Sequence, residues 1–297
     1  MIIDKKIPLP YIFSRIKYEL LIVFAVGLIT NFLTIQFNNL LPEMPLTIPA
    51  LLGTAISILL SFKMNQSYDR WWEARKVWGS IVNDSRSLVI QLQSFLGNDD
   101  KEYIKRIAYR QIAWCYSLSK SLREMNAMEG SEHLIRETEQ FEILRHNNKA
   151  LAILQLNAKE IRELKQNNKL ETFTHLQLDN TLVRLCDAMG KAERINNTIF
   201  PTTYRQFLHY IIYLFTITLS ISLSGVKMVF EIPLLLFIAA AFFLIEKSAY
   251  DLQDPFKNRA SDVPVTSIAR TIEINIRQLL GEMELPETIK PIDFYIL

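Results

Sequence analysis

Residues 44–96 constrain this chain more than any other stretch. Nineteen uncharged residues, 44–62, run into Lys63-Met64-Asn65-Gln66, and no proline interrupts the chain from there to residue 96. At about 1.5 Å of rise per residue, a helix of nineteen residues spans roughly 28 Å, close to the hydrocarbon thickness of a bilayer. Beyond Phe62, residues suited to one apolar face recur at Trp71, Ala74, Trp78, Ile81, Ser85, Leu88 and Leu92, the period of an amphipathic helix. The expectation is one helix that crosses a membrane and continues into the cytosol.

In the membrane half, Gly53, Ser57 and Ser61 recur every fourth residue. That spacing gathers small side chains on one face, where a neighbouring helix can come close. The adjacent stripe is Thr54, Ile58 and Phe62, with polar Gln66 a turn further on. Lipid favours apolar side chains throughout, whereas this stripe is polar at both ends and bulky and apolar between. It fits a water-filled path whose narrowest part is hydrophobic. It also fits ordinary helix packing, with Thr54 bonding back to its own carbonyls.

Of the 297 residues only 22% are charged, and four uncharged stretches stand out, at 20–42, 44–62, 206–226 and 232–245. The last reaches spanning length if residues 228–230 are included and Glu231 extends to the headgroups. Of the 33 lysines and arginines, four precede the first stretch, none separates the first two, 22 lie between Lys63 and Arg205, one is Lys227 and six follow the fourth stretch. Basic residues close to spans stay on the cytoplasmic side, which puts both termini and the long middle segment there. The N-terminus, broken by Pro8 and Pro10, lacks the pattern of a cleaved signal. Cys115 and Cys186 are far apart on expected cytosolic helices, so both are read as reduced and buried.

The expected architecture is all-α: four transmembrane helices continuing into a cytosolic helical bundle. The whole of residues 1–297 forms one unit, with a membrane part at about 18–62 and 206–246 and a cytosolic part at about 63–205 and 247–297. Residues 38–47, with Pro42 and Pro45, form a short outer loop, and residues 224–227 a second. Pro233 falls in the first turn of the fourth span. Helices are expected at 101–128, 132–146, 150–165, 171–196 and 266–280. On the last, Ile268, Ile272, Ile276 and Leu279 make one stripe. His133, His146, His175 and His209 show no metal-ligand spacing. Phosphate loops, nucleophile elbows and paired membrane carboxylates are missing, which argues against an enzyme and gives no reason to expect a cofactor. Arg and Lys beside Trp71 and Trp72 read as interfacial anchors rather than a nucleic-acid surface.

The run Tyr68-Asp69-Arg70-Trp71-Trp72-Glu73-Ala74-Arg75-Lys76-Val77-Trp78-Gly79 resembles the bestrophin family in its bacterial branch. So do Glu193-Arg194-Ile195-Asn196-Asn197-Thr198 with Pro201, and Asp254-Pro255-Phe256 with Asn258 and Ser261-Asp262. The three motifs cover essentially the whole chain in order. The resemblance implies a homopentameric channel for small monovalent ions, lined along its axis by the second transmembrane helix of each subunit. The family's hydrophobic neck maps onto Thr54, Ile58 and Phe62, with Gln66 in the vestibule beside it. Thr54 departs from the family's bulky apolar residue, which implies a wetter neck. A second, cytosolic aperture maps onto Thr181, with Leu178 and Leu182 as neighbours. Of the calcium-binding acidic cluster in eukaryotic members only Asp262 remains. Arg259 stands at an acidic position, so calcium activation is not expected there.

Anions such as chloride are favoured from the wider family, and a sodium-type cation channel of the same fold is the alternative. A secondary transporter and a membrane-anchored scaffold are weaker readings. The expected location is the inner membrane of a bacterium. The expected partners are further copies of the chain, lipid and the permeant ions.

Overall fold

The computed structural model describes residues 1–37, 44–198 and 201–297. The first part of the expected outer loop, residues 38–43, and residues 199–200, which separate Thr198 from Pro201 in the second motif, lie outside the described residues. The described chain is helical and carries no strand, only isolated bridges that involve Ile2, Ile292 and Tyr295. The main helices are α1 (Leu9–Gln36), α2 (Thr47–Phe95), α3 (Lys101–Leu122), α4 (Glu137–Leu144), α5 (Lys149–Gln166), α6 (Thr172–Asn197), α7 (Thr202–Ser222), α8 (Met228–Gln253) and α9 (Val265–Leu279). Among the described residues α1, α2 and α8 are long and apolar enough to cross a membrane. Helix α7 is not among them, because Arg205, Gln206 and His209 occupy its first two turns.

The chain divides into two compact units. One comprises the described residues of Lys5–Arg70 and Ile199–Gln253; the other comprises Met1–Asp4, Trp71–Thr198 and Asp254–Leu297. The boundaries fall at Arg70 and Gln253, later than residues 62 and 246, because the helices carry on past their uncharged stretches. Helix α2 is continuous for 49 residues and contributes to both units.

In the first unit α1, α7, α8 and the first half of α2 bury Val23, Ile56, Ile212, Leu235 and Phe243 together. Close approach depends on two glycines. A Cβ on Gly27 would meet Leu235 at 3.2 Å, and one on Gly53 would meet the ring of Phe215 at 3.1 Å. Two expectations are corrected in α8. Glu231 does not reach outward: it is buried and accepts hydrogen bonds from Asn31 Nδ2 and Ser220 Oγ, each at 3.0 Å. A carboxylate with two such donors is better satisfied inside than an extended side chain suggests. Pro233 lies in the second turn, because the helix begins at Met228.

The second unit is built around the other half of α2. Of the seven positions that the spacing marked, Ala74, Trp78, Ile81, Ser85, Leu88 and Leu92 are fully buried, and Trp71 is partly buried against the same core. They pack with Ile107, Ile112 and Trp114 of α3 and with Ile268, Ile272 and Ile276 of α9. Helix α3 ends at Leu122, short of Met128, and Glu132–Leu134 is a separate 3-10 turn before α4. Cys115 is buried, and burial pushes its thiol up to about 12. Cys186 is exposed, contrary to expectation, because it falls on the outer face of α6 between Leu185 and Asp187. Both cysteines are free.

Candidate functional site

The first half of α2 has two faces of opposite character. Ile56, Leu60, Lys63 and Ser67 are buried against the other helices of their unit. Thr54 and Gln66 are exposed, Ile58 is 53% exposed and Phe62 is 62% exposed. Four residues at fourfold spacing therefore share a bare stripe. The hydroxyl of Thr54 donates to the carbonyl of Ala50 at 2.9 Å, and that of Ser57 to Gly53 at 2.8 Å. Each hydroxyl thus spends its proton locally and offers outward only acceptor lone pairs and carbon.

Lys63 follows Phe62 directly but turns the other way. It is 4% exposed, and its ammonium donates to the amide oxygen of Gln253. The first cation after the uncharged stretch is thereby taken into the bundle, and the exposed stripe stays neutral. Of the small-residue row, Gly53 packs on Phe215 of α7, while Ser57 and Ser61 are exposed and uncovered by any helix of this chain. Packing within the subunit holds at Gly53 and not at the two serines.

The expected cytosolic aperture is corrected. Leu178 and Thr181 are fully buried, and Leu182 is buried too. Thr181 Oγ1 donates to Gln91 Oε1 at 2.8 Å and accepts from Arg184 Nη2 at 3.0 Å. These side chains point into the core of their unit, so they cannot line a path outside it. The spacing of Leu178, Leu182, Leu185 and Met189 already describes the buried face of α6. The bare apolar positions on α6 are Phe173, Leu176 and Val183.

Asp262 is buried and its Oδ2 accepts the backbone N–H of Arg259 at 3.0 Å. Burial pushes its carboxyl up to about 6, against the pull of that hydrogen bond and of Arg259 and Arg123. Among the described residues no group of three or more His, Cys, Asp or Glu is placed to hold a metal ion. One protonatable carboxylate tied to its own loop does not fit calcium, which takes six to eight oxygens. Trp71, from the first motif, donates its indole N–H to the carbonyl of Ser261 in the third at 2.9 Å. Two stretches read separately in the sequence therefore meet.

The chain matches the profile of the family described as Bacterial/Fungal Bestrophin protein over residues 10–278. It is similar to a protein of Escherichia coli strain K12 named voltage-dependent anion channel-forming protein YneE: 30% identical over 287 residues, 96% of this chain and 93% of that one. A Ralstonia nicotianae relative, voltage-dependent anion channel-forming protein RSc3414, is 25% identical over 272 residues, 90% of this chain and 88% of the relative. The crystal structure of a bacterial bestrophin homolog from Klebsiella pneumoniae superposes with a TM-score of 0.85 at 30% identity, covering 91% of this chain and 100% of that one. With its apolar helices, the all-helical fold is that of an integral membrane protein. The chain belongs to the bacterial and fungal bestrophin family.

Proposed function

We propose that the chain is one subunit of a homopentameric ion channel. Five copies of α2 stand around an axis, Thr54, Ile58 and Phe62 form an uncharged neck, and Gln66 opens into the vestibule beside it. The observation that carries this reading is the bare, neutral stripe on α2, in a family whose relatives are named for forming anion channels. A single subunit has one such stripe, so symmetry mates are needed to enclose a path. Ser57 and Ser61, uncovered within the subunit, let a neighbouring copy come close.

In this reading α7 also crosses the membrane, with Arg205, Gln206 and His209 at the inner boundary. That makes four crossings and leaves both termini on the cytoplasmic side of a bacterial inner membrane. The permeant species are small monovalent anions such as chloride. The neck admits them by staying wet, since an apolar constriction closes by dewetting and Thr54 makes this one less apolar. No step of this function requires a cofactor or bond-making chemistry.

Purified protein in planar bilayers, under a chloride gradient with impermeant counter-ions, tests the selectivity. The reversal potential is expected to follow the chloride gradient. A potential that follows sodium instead would make the protein a cation channel of the same architecture. Absence of any current would remove the channel reading.

A further inference from the structure

The four helices of the apolar unit turn from apolar to charged at one level, and a half-open cavity of about 370 Å³ lies there. That volume is within the range of small-ligand sites, roughly 300–1,000 Å³. Its lining carries three cationic side chains, Lys63, Arg205 and Lys247, and two carboxylates, Glu19 and Glu246. The carboxylates are already engaged. Lys247 pairs with Glu19 at 2.7 Å, and His209 Nδ1 lies 3.1 Å from Glu246.

Arg205 is different. Its guanidinium lies over the ring of Tyr250 at 4.9 Å, and among the described residues it has no carboxylate partner. The stacking holds the planar group in place and leaves its N–H fork for a ligand. That fork matches a phosphate, and basic pockets between membrane helices on the cytoplasmic side suit anionic headgroups. From Tyr210, at the rim of the cavity, exposed apolar residues continue along α7 to Leu214 and Ile217. The spacing of four and three keeps them on one helix face, a track on which an acyl chain can lie.

We infer that this cavity binds the phosphodiester headgroup of an anionic phospholipid from the surrounding membrane, with Arg205 stacked on Tyr250 as the main phosphate ligand. The acyl track distinguishes a lipid from free phosphate as the occupant. The inference rests on the reading of these helices as membrane-spanning and is independent of ion conduction.

The test is native mass spectrometry of the delipidated full chain, titrated with phosphatidylglycerol or with phosphatidylcholine of identical acyl chains. Phosphatidylglycerol should bind at least about tenfold more tightly. Arg205→Gln should reduce the preference to less than about twofold, Tyr250→Leu should weaken it, and Lys290→Gln should leave it intact. Equal affinity for the two lipids, or a preference that survives Arg205→Gln and Tyr250→Leu, would overturn the inference. So would displacement of phosphatidylglycerol by millimolar inorganic phosphate, which would assign the cavity to a soluble anion. Flux measured on the same preparations separates the two claims. An Arg205-dependent lipid preference without flux removes the channel and keeps the site, whereas flux without that preference does the reverse.

Discussion

Phe62 and Lys63 are neighbours in sequence and opposites in placement, the first 62% exposed and the second 4% exposed. This decides the electrostatics of the stripe, because a cation on its surface would select ions by sign where a neutral one cannot. If the stripe is a neck, its width and wetness set the current. Ile58→Ala and Phe62→Ala should each raise single-channel conductance, and Thr54→Leu should lower it by making the constriction more apolar. Unchanged currents in all three would remove the neck from these positions. Asp262 governs a separate response. Its carboxyl sits at about 6 in the fold against an ordinary value of 3.8, so the folded state holds more protons than the unfolded state across that interval. The stability contributed by this proton is therefore fully present below the lower value and is lost as pH rises through the upper one, by up to ~3 kcal/mol. Thermal unfolding in detergent from pH 4 to pH 7 should show this decline, and Asp262→Asn should flatten it.

At the scale of elements, α2 was legible in the sequence because one hydrophobic period runs through it. Trp78, Ile81, Leu88 and Leu92 are buried where that period puts them. The exposed stripe was legible for the same reason. Leu178 and Thr181 failed because they were placed by counting from a motif, although the leucine spacing of α6 marked its buried side. The charge network between α3, α4 and α5 could not be read at all. Arg110 forks onto Glu139 at 2.9 and 2.5 Å and also bonds Glu160, which pairs in turn with Arg106. Partners so distant in sequence have no periodic signature. Burial pushes the Glu139 carboxyl up, but the hydrogen bonds and charge of Arg110 outweigh it and hold the group below its ordinary range. Its contribution is thus present at neutral pH and is lost in acid. Removing one buried member leaves the others uncompensated, so Glu160→Gln should destabilise the protein by about 3–5 kcal/mol, read as a lowered denaturation midpoint. Gly53→Leu, driven into Phe215, should cost roughly 1–3 kcal/mol by overpacking.

At the scale of the whole molecule, charge and hydropathy along the sequence already separate long apolar helices from charged helical stretches, and the main elements of the described chain are all helical. The sequence could not reveal that the termini pair: Ile3 N–H donates to Phe294 O, and Ile296 N–H to Met1 O, each at 2.9 Å. Nor can one chain display its own symmetry mates. The proposed pentamer would turn the bare stripe of each copy towards the others, so light scattering of the detergent-solubilised protein should give about five times 34.6 kDa. The most direct test of the pore applies a charged, water-soluble methanethiosulfonate to reconstituted channels that carry Ile58→Cys in a Cys186→Ser background. Most of the current should be lost, with no effect on channels that carry Cys186→Ser alone. Current that persists, while the thiol introduced by Ile58→Cys reacts only with a membrane-permeant maleimide, would place this side chain in lipid and contradict the pore.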